Sequence, residues 1–77
     1  MSFDVRIIDE QEEAVHGARV VLSFTDPTRG QTDPESTDSD GYAQFDGYGG
    51  GEVRVYVNGS DCGTCEYREG ESVTITR

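Results

Sequence analysis

The chain has no lysine and no tryptophan, and only one histidine, one methionine and two prolines in 77 residues. Each shortage closes a route. Without lysine there is no Schiff base, no lysine-centred phosphate loop and no side-chain amine for an isopeptide cross-link. With His16 as the only imidazole, neither a histidine-rich metal centre nor a histidine pair for acid–base chemistry can be assembled from one chain. No stretch approaches the ~20 apolar residues of a membrane-spanning helix. No basic, apolar leader opens the sequence, so the expected location is the cytoplasm, or the extracellular space for a fragment of a larger protein. Long helix-forming runs are also missing. Glu10–Val15 is the only helix-tolerant stretch, and it is too short to stand alone.

Acidic residues are abundant. Sixteen Asp and Glu face six Arg, for a net charge of −10. A field of that sign repels nucleic-acid phosphates and anionic lipid, so neither is an expected partner. The charge reads either as a solubility shell or as adaptation to a high-salt cytoplasm. Under the second reading stability falls at low salt, where repulsion between carboxylates is unscreened. The length allows one domain, residues 1–77, and a chain this short buries only about 60% of its unfolded surface. Hydrophobic residues make up 32% and glycine supplies ten positions, a balance suited to short strands joined by turns.

The dominant hydrophobic period is two. Phe3, Val5 and Ile7 alternate with Asp4 and Arg6. Ala18, Val20, Leu22 and Phe24 share one face; Ala43 and Phe45 mark a shorter run; Val53, Val55 and Val57 alternate with Glu52, Arg54 and Tyr56. Val73 and Ile75 are framed by Ser72, Thr74 and Thr76. Residues two apart on a strand share a face, so these sets, with Val15, predict one thin core between two sheets. Turn chemistry separates them: the acidic stretch Asp9–Glu13, the segment bracketed by Asp26-Pro27 and Asp33-Pro34, then Asp40-Gly41, Asn58-Gly59, Gly49–Gly51 and Glu69-Gly70. Asp-Gly and Asn-Gly are the pairs that accept the positive φ of tight hairpins. The predicted fold is an all-β sandwich of short strands.

The order of these pieces resembles the carboxypeptidase regulatory-like, transthyretin-like domains and the related collagen-adhesin B-type domains. The resemblance rests on Gly17-Ala18 with Val20 and Leu22, on Thr37-Asp38-Ser39-Asp40-Gly41 followed by Phe45, and on Gly51 with Val53, Val55 and Val57. It implies a Greek-key sandwich of about seven strands that serves as a structural or adhesive module. One relative is a hydroxyisourate hydrolase, which relies on several His and Arg and a C-terminal Tyr-Arg-Gly-Ser. This chain has His16 alone and ends Thr74-Ile75-Thr76-Arg77, so no enzyme is expected.

Three features carry chemistry. Cys62-Gly63-Thr64-Cys65 is a C-x-x-C pair, expected in a loop or hairpin, where Asp61 and Glu66 raise the thiol pKa rather than lower it. It offers two thiolates toward zinc. A four-ligand site needs His16 and a carboxylate as well, or two chains contributing two thiolates each. Alternatively the pair is a local clip or two reduced thiols. Ser36-x-Asp38-x-Asp40-Gly41 imitates the start of a calcium loop, but the twelfth position is Gly47 rather than Glu. Asp38 and Asp40 are the calcium candidates, against a plain solvated turn. Finally Tyr42, Tyr48, Tyr56 and Tyr67 read as exposed aromatics, with Tyr42 and Tyr56 the candidate binding surface on outer strand faces. The expected function is a non-catalytic interaction or accessory module with an unidentified protein partner, as a monomer or weak dimer. The alternative is a small zinc-binding or thiol-linked protein using Cys62 and Cys65.

Overall fold

The computed structural model describes residues 2–77. Among these residues seven strands are divided between two sheets: β1 (Phe3–Ile8), β2 (Arg19–Phe24), β3 (Glu35–Ser36), β4 (Tyr42–Phe45), β5 (Gly51–Val57), β6 (Ser60–Tyr67) and β7 (Ser72–Thr76). One sheet has the order β4-β1-β7, the other β3-β2-β5-β6. β1 pairs antiparallel with β4 and parallel with β7, while every pairing in the second sheet is antiparallel. The molecule is an all-β sandwich, with no helix among the described residues.

Burial follows the period-two reading. Phe3, Val5 and Ile7 from β1, Val20, Leu22 and Phe24 from β2, Ala43 and Phe45 from β4, and Val53, Val55 and Val57 from β5 are all buried, with Ala18 at the entry to β2. At about 1.5–3 kcal/mol per large side chain, these inner faces are the main force holding the sheets together. Three expected core positions, Val15, Val73 and Ile75, are only half-buried and pack against the core from its open side. Tyr67 corrects the sequence reading in the other direction. It is fully buried, not exposed, because its ring packs on Phe3 and Phe24 with centroids 4.8 and 6.0 Å away.

Two buried threonines tie loops to strands. The Thr37 hydroxyl accepts from the backbone N–H of Ala18 at 2.9 Å and donates to the carbonyl of Val15. The Thr32 hydroxyl accepts from the N–H of Leu22 at 3.1 Å. The Asp38–Tyr42 turn is closed by the Asp38 carboxylate, which accepts from the N–H groups of Asp40 and Tyr42 at 2.9 and 3.0 Å. Gly41 is required there: its φ is +84°, and a Cβ would stand 2.7 Å from the carbonyl oxygen of Ile7. Asn58, at φ +51°, and Gly59 form the two-residue turn between β5 and β6, as the Asn-Gly dipeptide predicts.

Candidate functional site

Of the two expected settings, loop or hairpin, the C-x-x-C pair takes the second: it lies inside the returning strand of the β5–β6 hairpin. Cys62 and Cys65 belong to β6, whose pairing with β5 breaks register in the middle of the motif. Thr64 faces Arg54 and Asp61 faces Tyr56, so Cys62 and Gly63 together oppose the single residue Val55. This is a β-bulge, and Gly63 occupies it at φ +100°, a conformation that side chains resist. The bulge changes the geometry of the cysteines. Residues three apart on a regular strand point to opposite faces; one inserted residue restores the same face. Cys65 is paired with the inward Val53, and both thiols are half-buried and packed against the core.

At Cys65 that environment disfavours thiolate. Burial pushes the Cys65 thiol up, and the neighbouring Glu66 carboxylate pushes it further in the same direction. Both cysteines are free thiols, and the Cys62 sulfur lies 3.6 Å from the carbonyl oxygen of Ser60. A thiol held protonated is a weak nucleophile, whereas reactive C-x-x-C pairs sit at helix N-termini that lower the pKa. Among the described residues, no group of three or more His, Cys, Asp and Glu side chains converges as a metal site. His16 is exposed in the turn before β2, and a zinc site within one chain would need it and a carboxylate to join the thiols.

Asp38 and Asp40 stand in one exposed turn, but their roles differ. One Asp38 carboxylate oxygen already accepts the two backbone N–H groups that close the turn, while the backbone N–H of Asp40 is one of those donors. The same device recurs at Asp9, Asp26 and Asp61, each accepting backbone N–H groups two to four residues ahead. At Asp26 and Asp61 these bonds hold the carboxyl below the usual range, with Arg29 and Arg54 adding smaller effects. Part of the acidity of the loops is therefore turn chemistry.

The four tyrosines divide into three settings. Tyr67 is core, and its hydroxyl donates to Glu69 at 3.0 Å, while Glu69 also accepts the N–H of Gly47. Burial, the bond to Glu69 and the charge of Glu69 push the phenol up to about 12. Tyr48 is half-buried and packs edge-on to Tyr67 at 6.1 Å. Its loop is clamped by Arg29, whose guanidinium lies 3.8 Å from the Phe24 ring centroid and donates to the carbonyls of Tyr48 and Gly50. Nothing in the spacing of Arg29 and Gly49–Gly51 announced this clamp, because it joins loops about twenty residues apart.

Tyr42 and Tyr56 are half-buried on outer faces, but of different sheets, so they do not form one surface. Tyr42 lies opposite Arg6, whose guanidinium is 5.7 Å from the ring centroid. Tyr56 lies directly across from Val21 in the β2–β5 pair. Around it is an open depression of about 260 Å³ lined by Arg19, Val21, Gln31, Tyr56 and Gly59. Val21 was readable as an outward apolar residue in β2, but Gln31 reaches the site only because the β2–β3 loop returns alongside the strand through a bridge to Ser23. Compared with known protein families, curated proteins and solved structures, the chain gives no significant match.

Proposed function

We propose that this protein is a non-catalytic interaction or accessory module of the carboxypeptidase regulatory-like kind, meeting a protein partner through the outer face of its four-stranded sheet. One observation carries the reading: the depression around Tyr56 and Val21, rimmed by Arg19, is an apolar and cationic spot on a chain of net charge −10. An aromatic ring and an arginine are the residue types that anchor protein interfaces, the ring because it buries a large area with few rotatable bonds and the guanidinium because its planar fork pairs with carboxylates and stacks on rings. The chemistry suits an apolar side chain flanked by a carboxylate. The charge of the whole molecule works against nucleic acid and anionic membrane as partners. Placing a photo-crosslinking amino acid at position 56 and irradiating in lysate of the producing cells tests it. The expected result is a discrete adduct competed by excess wild-type protein but not by Tyr56→Ser. No competable adduct from position 56 would overturn the reading.

A second reading is favoured by the bulge, which gives Cys62 and Cys65 a common face. In it the pair acts as a thiol clip, or as two of four zinc ligands shared with a second chain. Native mass spectrometry with and without reductant and chelator separates these, since each predicts a different mass. A bare, reduced monomer under all conditions excludes both.

A further inference from the structure

Of the four edge strands, three carry features that discourage pairing with another chain. β3 is two residues long, β4 is four, and β6 is bulged and carries Asp61 and Glu66. Short length, bulges and charges are the usual protections of a sheet edge. β7, five residues long, has neither a bulge nor a charge. Ser72–Thr76 contains no charged residue, pairs with β1 in unbroken register, and has four consecutive β-branched residues, Val73, Thr74, Ile75 and Thr76.

The ladder fixes which backbone groups are free. The carbonyl of Glu71 accepts from Asp4 at 3.1 Å, and the N–H of Arg77 donates to Ile8 at 2.8 Å. Successive residues of a strand point their N–H and C=O to alternate sides. Glu71, Val73, Ile75 and Arg77 therefore face β1, and Ser72, Thr74 and Thr76 present theirs to the open side. Among the described residues, β7 has no hydrogen-bonded strand on that side.

We propose that this edge pairs antiparallel with the same edge of a second copy, about a two-fold axis at Thr74. In that register Thr74 meets Thr74, and Ser72 meets Thr76 of the second copy. All three outward residues then fall in hydrogen-bonded pairs, giving six N–H···O bonds; a slip of two residues leaves one of the three without its partner. The side chains agree with the register. Val73 lies across from Ile75, joining half-buried residues on the inner face, and Glu71 lies across from Arg77, so each end of the ribbon carries an opposite-charge pair. Arg68, 3.9 Å from Glu71, adds a second cation beside that carboxylate. A strand this short makes a small, weak interface, and two bodies of charge −10 repel. Association therefore strengthens with salt, which shortens the screening length from about 30 Å at 0.01 M to about 3 Å at 1 M.

The edge lies on the sheet that does not contain Tyr56, so this inference and the proposed function fail separately. Sedimentation velocity at rising protein concentration, in dilute buffer and in 1 M salt, measures the dimer. Amide hydrogen exchange locates it. Wild type should dimerise, more strongly in high salt, with Ser72, Thr74 and Thr76 amides gaining protection as dimer forms. Thr74→Pro removes an N–H that faces outward and should leave a folded monomer. Glu71→Arg and Arg77→Glu should each weaken self-association about tenfold, and an equimolar mixture of the two should recover it as a heterodimer, because the charges are again opposite. A monomer at roughly millimolar concentration in 1 M salt would overturn the proposal. So would a dimer indifferent to both charge reversals, or a mixture that recovers nothing. If Thr74→Pro fails to fold, the charge-reversal pair still decides. Crosslinking from position 56 should persist in the monomeric variants.

Discussion

Removing the Thr37 hydroxyl tests how this thin sandwich holds its first loop. Thr37 is 3% exposed, and its hydroxyl serves the N–H of Ala18 and the carbonyl of Val15 at once. Thr37→Val keeps the shape of the side chain but leaves the Ala18 N–H, at a buried residue, without its partner. A buried donor stranded in this way costs about 1–3 kcal/mol. The Val15 carbonyl belongs to a half-buried residue that water can partly reach, so we expect a total loss of about 2 kcal/mol. For a domain of this size total stability is roughly 4–12 kcal/mol, so the change is large. In urea, with a slope near 1 kcal/mol/M, the midpoint should fall by roughly 2 M at unchanged slope, and Tm by roughly 8–16 °C. Thr37→Ser is the control. It keeps the hydroxyl and loses one methyl, about 1 kcal/mol, and should be the milder of the two. A Val variant as stable as wild type, or Ser worse than Val, would refute the hydrogen-bond account and leave methyl packing as the role of Thr37.

Two further outcomes follow from single residues. Tyr67 has a pKa of about 12 in the fold against 10.0 for a free phenol. The unfolded chain therefore loses this proton first as pH rises, so stability is unaffected below about pH 10 and falls between about pH 10 and 12. Thermal melts across pH 9–12 should show a slope in wild type that is reduced in Tyr67→Phe, and equal slopes would contradict the burial argument. At the bulge, deleting Gly63 brings Cys62 into regular register opposite Val55, and the protein should remain folded. Gly63→Val instead forces a β-branched residue to φ +100° and should cost about 1–3 kcal/mol. Melting temperatures in the reverse order would mean that the bulge itself is essential.

The amino-acid sequence determined the sheets wherever side chains alternate strictly. Phe3–Ile8, Arg19–Phe24, Tyr42–Phe45 and Gly51–Val57 were legible because one face of each must leave water and the other need not. Asp40-Gly41 and Asn58-Gly59 marked their turns for the same local reason, since positive φ is a property of a residue rather than of a fold. β6 was only half legible. Asn58-Gly59 announced a hairpin, but the bulge at Gly63 breaks the alternation between Cys62 and Cys65, so the motif read along the chain as loop or hairpin rather than as a strand. Tertiary structure alone decided that Tyr67 belongs to the core, where its ring packs among those of Phe3, Phe24 and Tyr48. It decided also that Thr37 and Thr32 are buried, that Tyr42 and Tyr56 lie on opposite sheets, and that β7 is an open edge. Each depends on which strands become neighbours. That is settled by non-local packing, which the local pattern of one strand does not encode.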